Sequence, residues 1–202
     1  MIFFLLCGFS VFCCICGLYT PEASNDMVTF LPKLDLKSQI FLSGHYSGYF
    51  QISKTKYIQY YFVESEGDIK KDPLFVWTNG GPGCSGFIGM FTENGPWRPI
   101  ADDTGNLILT RNPNTWSRLA SVLFIEQPAG VGFSYTNRTE TLDKDKYTDD
   151  IAAKDSLKIL LKFFERFPER LCRVLSLLLC NTYLVRTQYY PYAHTHPPLI
   201  PP

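Results

Sequence analysis

Pro73-Leu74-Phe75-Val76-Trp77-Thr78-Asn79-Gly80-Gly81-Pro82-Gly83-Cys84-Ser85-Gly86 is the stretch on which the reading of this chain turns. A short apolar run, Leu74 to Trp77, breaks into a loop with four glycines in the seven positions from Gly80 to Gly86. Glycine at that density lets backbone N–H groups turn outward and approach a ligand closely. Such a loop at the end of a buried strand is suited to an oxyanion hole, a set of fixed donors aimed where negative charge develops. Leu119 to Ile125 is a second apolar run, and it feeds another glycine-bearing loop, Glu126-Gln127-Pro128-Ala129-Gly130-Val131-Gly132. Two buried strands, each ending in such a loop, predict an α/β sheet with ligands at the strands' C-terminal ends.

Upstream, Ser43 to Ile52 and Tyr57 to Val63 are rich in β-formers, and the polar Ser53 to Lys56 between them suits a hairpin. Downstream, one helix is predicted. Thr148 serves as its N-cap, Asp149 and Asp150 favour its dipole, and Pro168 follows its end. Leu157, Leu160, Leu161, Phe164 and Phe167 are read as its core face.

The 202 residues are 46% hydrophobic and 19% charged, ordinary for one globular domain. The formal charge is zero and no basic run occurs, so nothing points to nucleic acid or an anionic membrane. Met1 to Leu18 carries no charged side chain and ends in small residues, Cys16 and Gly17, which reads as a secretory signal peptide rather than a stable membrane span. Asn137-Arg138-Thr139 is a glycosylation acceptor and agrees with secretion. Cys7, Cys13, Cys14 and Cys16 would leave with the leader, and Cys84, Cys172 and Cys180 would remain. An odd number leaves one thiol without an intramolecular partner. No His or Cys spacing resembles a zinc site, and no cofactor is expected.

Several stretches together resemble the serine carboxypeptidases of the α/β-hydrolase fold. They are Trp77 to Ser85, Glu93-Asn94-Gly95-Pro96, Asn112-Pro113 with Trp116, Phe124 to Tyr135, and Phe163 to Glu169. Their order and spacing agree from about residue 31 to residue 170. The resemblance implies an exopeptidase that hydrolyses the C-terminal peptide bond of peptides and proteins at acidic pH. It gives Gly81 an oxyanion-hole N–H, and Asn79 and Gly80 the grip on the substrate's terminal carboxylate. Glu93 would hydrogen-bond that carboxylate beside a second Glu, and carboxyl groups held so close share protons, which favours acidic pH. Trp77 would form a wall of the same site. Cys84 would enter a long-range disulfide. Ser85 sits in Gly-Cys-Ser-Gly, which is not a nucleophile elbow.

A hydrolase of this fold needs Gly-x-Ser-x-Gly at a strand-to-helix turn, followed by Asp and then His. All fourteen glycines of this chain lie at or before Gly132, and no Asp follows Asp155. His194 and His196 fall in a proline-rich terminus, and Ser176 lies in a leucine run. From residue 171 onward there is no Gly, Lys, Asp or Glu, and five of the 14 prolines fall in the last 12 residues. A catalytic triad is therefore absent from the sequence.

The expected organisation is a leader over 1–18, the N-terminal part of a serine carboxypeptidase-like catalytic domain over 19–170, and a non-family tail, irregular or disordered, over 171–202. The fold class is an α/β-hydrolase sheet truncated before the nucleophile elbow, inactive as it stands. A non-catalytic secreted binding fragment and a fragment of a carboxypeptidase-like acyltransferase are the alternatives. The expected location is the secretory pathway, with an extracellular, lysosome-like or vacuolar destination. A sheet cut off after its first strands leaves a hydrophobic edge that favours aggregation.

Overall fold

The computed structural model describes residues 19–34, 41–80, 83–137 and 147–171. Helix α1 (Pro21–Asn25) is followed by the hairpin β1 (His45–Gln51) and β2 (Lys56–Val63), then β3 (Leu74–Trp77) and α2 (Gly86–Thr92). A second hairpin, β4 (Trp97–Ala101) and β5 (Leu107–Arg111), precedes β6 (Ser121–Ile125), the two-residue β7 (Tyr135–Thr136) and the long helix α3 (Asp149–Arg166).

The main sheet has the order β1-β2-β6-β3, with β7 pairing the start of β2. β1 and β6 each run antiparallel to β2, whereas β3 lies parallel to β6 with Trp77 opposite Phe124. Strand alternation sends successive residues to opposite faces. Tyr60, Phe62, Leu123 and Ile125 therefore join one core with Ile159 and Phe163 of α3 and with Phe167 at its C-cap. Tyr61, Val63, Val122 and Phe124 join a second core with Met90 of α2, flanked by Phe87 and Phe91.

The predicted hairpin, both apolar strands and the helix all form. Thr148 caps α3, accepting the Ile151 N–H at 3.4 Å. The core face matches the predicted one only in part: Phe167, just past the end of α3, is fully buried and Phe164 packs against the same core, but the rest of the face differs. Its buried residues are Asp155, Ile159 and Phe163, while Leu157 and Leu161 are 60% and 55% exposed. Lys56 on β2 holds Asp155 at 2.9 Å on the same face that buries Ile159 and Phe163. β3 also departs from expectation. Among the described residues it is an edge strand, and Phe75 and Val76, on opposite faces, are 44% and 45% exposed. β6, by contrast, is buried along its whole length.

Between β1 and the second hairpin, His45 is buried against Tyr61, whose hydroxyl lies 3.1 Å from its Nδ1, and against the rings of Phe41 and Trp97. Burial, with a smaller contribution from the Arg111 charge, pushes His45 down to about 3. The imidazole is neutral at physiological pH.

Candidate functional site

The glycine-rich loop leaves the C-terminal end of β3 and returns as α2. Ser85 is the N-cap of α2, and its Oγ accepts the Phe87 N–H at 3.2 Å. The same hydroxyl donates to Glu126 Oε1 at the end of β6. Glu126 is fully buried, and its other carboxylate oxygen accepts the Phe133 N–H. One carboxylate thus ties the loop after β3 to the loop after β6. Both loops need glycine where they meet it. A Cβ on Gly132, whose φ is 52°, would stand 2.0 Å from Glu126 Oε2, and one on Gly86 would stand 2.3 Å from the Ile125 carbonyl oxygen.

Asn79 sits at the root of the loop. Its Oδ1 accepts the Trp77 indole N–H at 2.8 Å and the Gly89 N–H at 3.3 Å. With the acceptor end so occupied, the Nδ2 donors are the half of the amide left for a ligand. Gly89 makes this approach feasible. A Cβ there would stand 2.2 Å from Trp77 Nε1 and 3.0 Å from Asn79 Oδ1. Trp77 is held edge-on to Trp116, with ring centroids 5.6 Å apart.

Gly80 is exposed, and a Cβ on it would meet nothing within 4 Å. Gly81 lies outside the described residues. Gly83, at φ 95°, takes the left-handed conformation that glycine alone adopts without strain. Cys84 is exposed and carries no disulfide among the described residues, and Cys172 and Cys180 lie outside them. Glu93 is exposed at the C-cap of α2, where its N–H bonds the Gly89 carbonyl at 3.0 Å. Arg98 donates to the Glu93 carbonyl at 2.9 Å, and buried Asn112 donates to Gly95 at 2.8 Å, so the Glu93–Gly95 turn is fixed from two sides. Asn79, Trp77 and Gly89 are thus brought together, with Glu93 closing the far end of the same short helix.

Asn137 is exposed, with its N–H bonded to the Thr55 carbonyl, while the other two residues of its acceptor motif are outside the described set. Among the described residues, no group of three or more His, Cys, Asp and Glu side chains could hold a metal ion, and no helix is long and apolar enough to cross a membrane.

The serine carboxypeptidase family profile matches residues 32–178. The chain is a member of the serine carboxypeptidase family. It is 42% identical over 154 residues to serine carboxypeptidase-like 20 of Arabidopsis thaliana, covering 74% of this chain and 29% of that relative. It is 45% identical over 125 residues to the lysosomal protective protein of Mus musculus, covering 61% of this chain and 25% of that one. The fold resembles the crystal structure of a prohormone-processing carboxypeptidase from Saccharomyces cerevisiae, with a TM-score of 0.60 and 26% identity, over 76% of this chain and 35% of that one. This serine carboxypeptidase chain therefore spans less than a third of the two curated relatives named here. Within it, the Ser85–Glu126 tie and the close seat of Gly89 are what sequence reading missed. A glycine inside a helix costs roughly 1 kcal/mol against alanine, and that cost was the available sign that Gly89 has a packing reason.

Proposed function

We propose that the loop from Trp77 to Ser85 is the carboxylate-gripping and oxyanion-stabilising part of a carboxypeptidase site acting on peptide C-termini at acidic pH. The carrying observation is Asn79, whose Oδ1 is held by two N–H donors so that its Nδ2 is the end offered to an anion. In this reading the Asn79 amide and the Gly80 N–H bind the terminal carboxylate of the peptide. Trp77 forms the wall behind it, and Glu93 meets the carboxylate with a second carboxyl group. The Gly81 N–H faces the oxyanion of the tetrahedral intermediate, a donor of a kind worth about 10²–10³ in rate.

The 202 residues themselves are read as inert in hydrolysis, because no Gly-x-Ser-x-Gly occurs in them and no Asp follows Asp155 to orient a histidine. Residues 1–18 are read as a leader and 19–170 as catalytic-domain sequence, and the tail foreign to the family is read as beginning beyond residue 178, where the family match ends. Entry into the secretory pathway makes Asn137 an acceptor for glycan and Cys84 a candidate for disulfide pairing. The alternative of a non-catalytic binding fragment is favoured by the same contrast, an intact grip without a nucleophile.

Two measurements on the purified chain test this reading. Titration with an N-acetylated amino acid and with its carboxamide, followed by NMR, should show binding of the carboxylate alone, and Asn79→Ala should abolish it. Equal binding of the two compounds would refute the grip. Incubation with a blocked dipeptide at acidic pH should release no product, and turnover blocked by a serine-reactive inhibitor would refute inertness.

A further inference from the structure

Trp116 stands beside the glycine-rich loop without belonging to it. The residue is 44% exposed, yet its place is fixed through the backbone. It opens a 3-10 turn, Trp116–Arg118, capped by Thr115, whose Oγ1 accepts the Ser117 N–H at 3.2 Å. Buried Ser117 donates its hydroxyl to Glu66 Oε1 at 2.9 Å, and its carbonyl accepts the Glu66 N–H at 2.7 Å. The turn is thereby pinned to the segment that follows β2. From this anchor Trp116 reaches both ends of the candidate site. Its N–H donates to the Asn94 carbonyl at 2.9 Å, which the Thr115 hydroxyl also meets at 3.3 Å, so the turn beside Glu93 is held. Its ring meets Trp77 at 88° and Phe75 at 67°, each with centroids 5.6 Å apart.

The contact with Trp77 matters because of what that indole does. Its N–H is one of two donors on Asn79 Oδ1, the other being the Gly89 N–H. An asparagine amide has an acceptor end and a donor end of nearly equal shape, so its hydrogen bonds choose which end faces a ligand. Edge-to-face packing is a favoured arrangement of two aromatic rings, and here it braces the orientation of the indole. Without the Trp116 ring the indole is free to turn about its Cβ–Cγ bond. Oδ1 is then left with the longer bond, 3.3 Å from Gly89. The amide can now present Oδ1, an acceptor, where a carboxylate needs a donor.

We propose that Trp116 is a positioning residue of the carboxylate grip. By bracing the Trp77 indole it keeps the donor end of Asn79 turned to the ligand, and so sets the preference for a carboxylate over a carboxamide. This rests on the reading of Asn79 as the grip on a peptide's terminal carboxylate. Trp116 acts through Trp77 and touches no ligand in this role. A packing role alone would lower stability and leave the preference as it is.

The test is NMR titration of the purified full chain and its Trp116 variants with an N-acetylated amino acid and with its carboxamide. Trp116→Ala should weaken binding of the carboxylate about tenfold, the order expected for one aromatic contact. It should also make binding of the carboxamide detectable. Trp116→Phe, which keeps an aromatic edge, should retain the parent's preference, and the Trp77 indole N–H resonance should move in the first variant more than in the second. Urea midpoints are measured alongside. A lowered midpoint with an unchanged preference would make Trp116 a packing residue and overturn this inference while the grip reading stands. Equal binding of the two compounds by the parent overturns both. If Trp116→Ala does not fold, Trp116→Leu, which fills the space without a ring, decides the same question.

Discussion

The Ser85 hydroxyl and the buried Glu126 carboxylate, 41 residues apart in sequence, meet in a hydrogen bond that fixes the start of α2 to the end of β6. The serine also satisfies the first turn of the helix, so one side chain serves two elements. Its loss should be felt in both.

Ser85→Ala is expected to destabilise the chain by about 2 kcal/mol, combining a lost N-cap with a buried carboxylate oxygen left unpaired. Ser85→Thr, which keeps the hydroxyl, should recover most of that loss. Urea midpoints of the three proteins check this, and a Ser85→Ala midpoint equal to the parent's would show that the bond contributes nothing.

His45 gives the chain an acid sensitivity. Its ordinary value is 6.5, and in the fold it is pushed down to about 3 by burial and by Arg111. Between those values the unfolded chain binds a proton that the folded chain does not, so stability is full above 6.5 and falls as pH drops through this window. The slope for one such proton is about 1.4 kcal/mol per pH unit. Denaturation midpoints measured from pH 7.5 to pH 5 should decline, and His45→Asn should remove this part of the decline. An unchanged slope in the variant would assign the loss to other groups. This effect opposes the acidic working pH proposed for the site.

The rotation of α3 predicts a contrast between neighbouring apolar positions. Phe163→Ala, in the core, should cost about 3–5 kcal/mol, whereas Leu157→Ala, on the exposed side, should stay within about 0.5 kcal/mol. Thermal unfolding of the two variants side by side decides it. Comparable losses would mean that α3 packs through the leucine stripe instead.

β3 is the fourth test. Among the described residues its outer edge has no partner strand, Phe75 and Val76 are half-exposed, and edge lysines are a common way of blocking such strands. Val76→Lys should reduce concentration-dependent association of the purified chain in sedimentation experiments. Unaltered association would place the sticky surface elsewhere.

The strands were legible because their residue types and turn boundaries are local signals. The hairpin needed only the β-rich runs and the polar Ser53–Lys56 linker. The helix was legible as a helix, but its face was not. It carries apolar residues on more than one side, and the face that is buried is marked by long-range contacts, the Asp155–Lys56 pair 99 residues apart and the packing of Ile159 and Phe163 on the sheet. β3 misled for a related reason. A wholly apolar run states that a strand wants cover on both faces, and the described residues do not supply that cover. Within the site, Asn79 was readable as a candidate from its motif. The Ser85–Glu126 bond leaves no periodic trace in sequence, and Gly89 gave only the faint sign of a glycine inside a helix.

The contact between Asp26 and Arg166 has a consequence in time. The two side chains meet at 2.6 Å across 140 residues, and Thr20 reaches the Arg166 carbonyl across 146. Such distant pairings slow folding, because the chain must close a large loop before it gains the contact. A polypeptide emerging N-terminus first, at about 5–20 residues per second, shows Tyr19 to Asp26 many seconds before their partners arrive. For that interval the opening segment is unguarded, and these contacts can close only when α3 has been delivered.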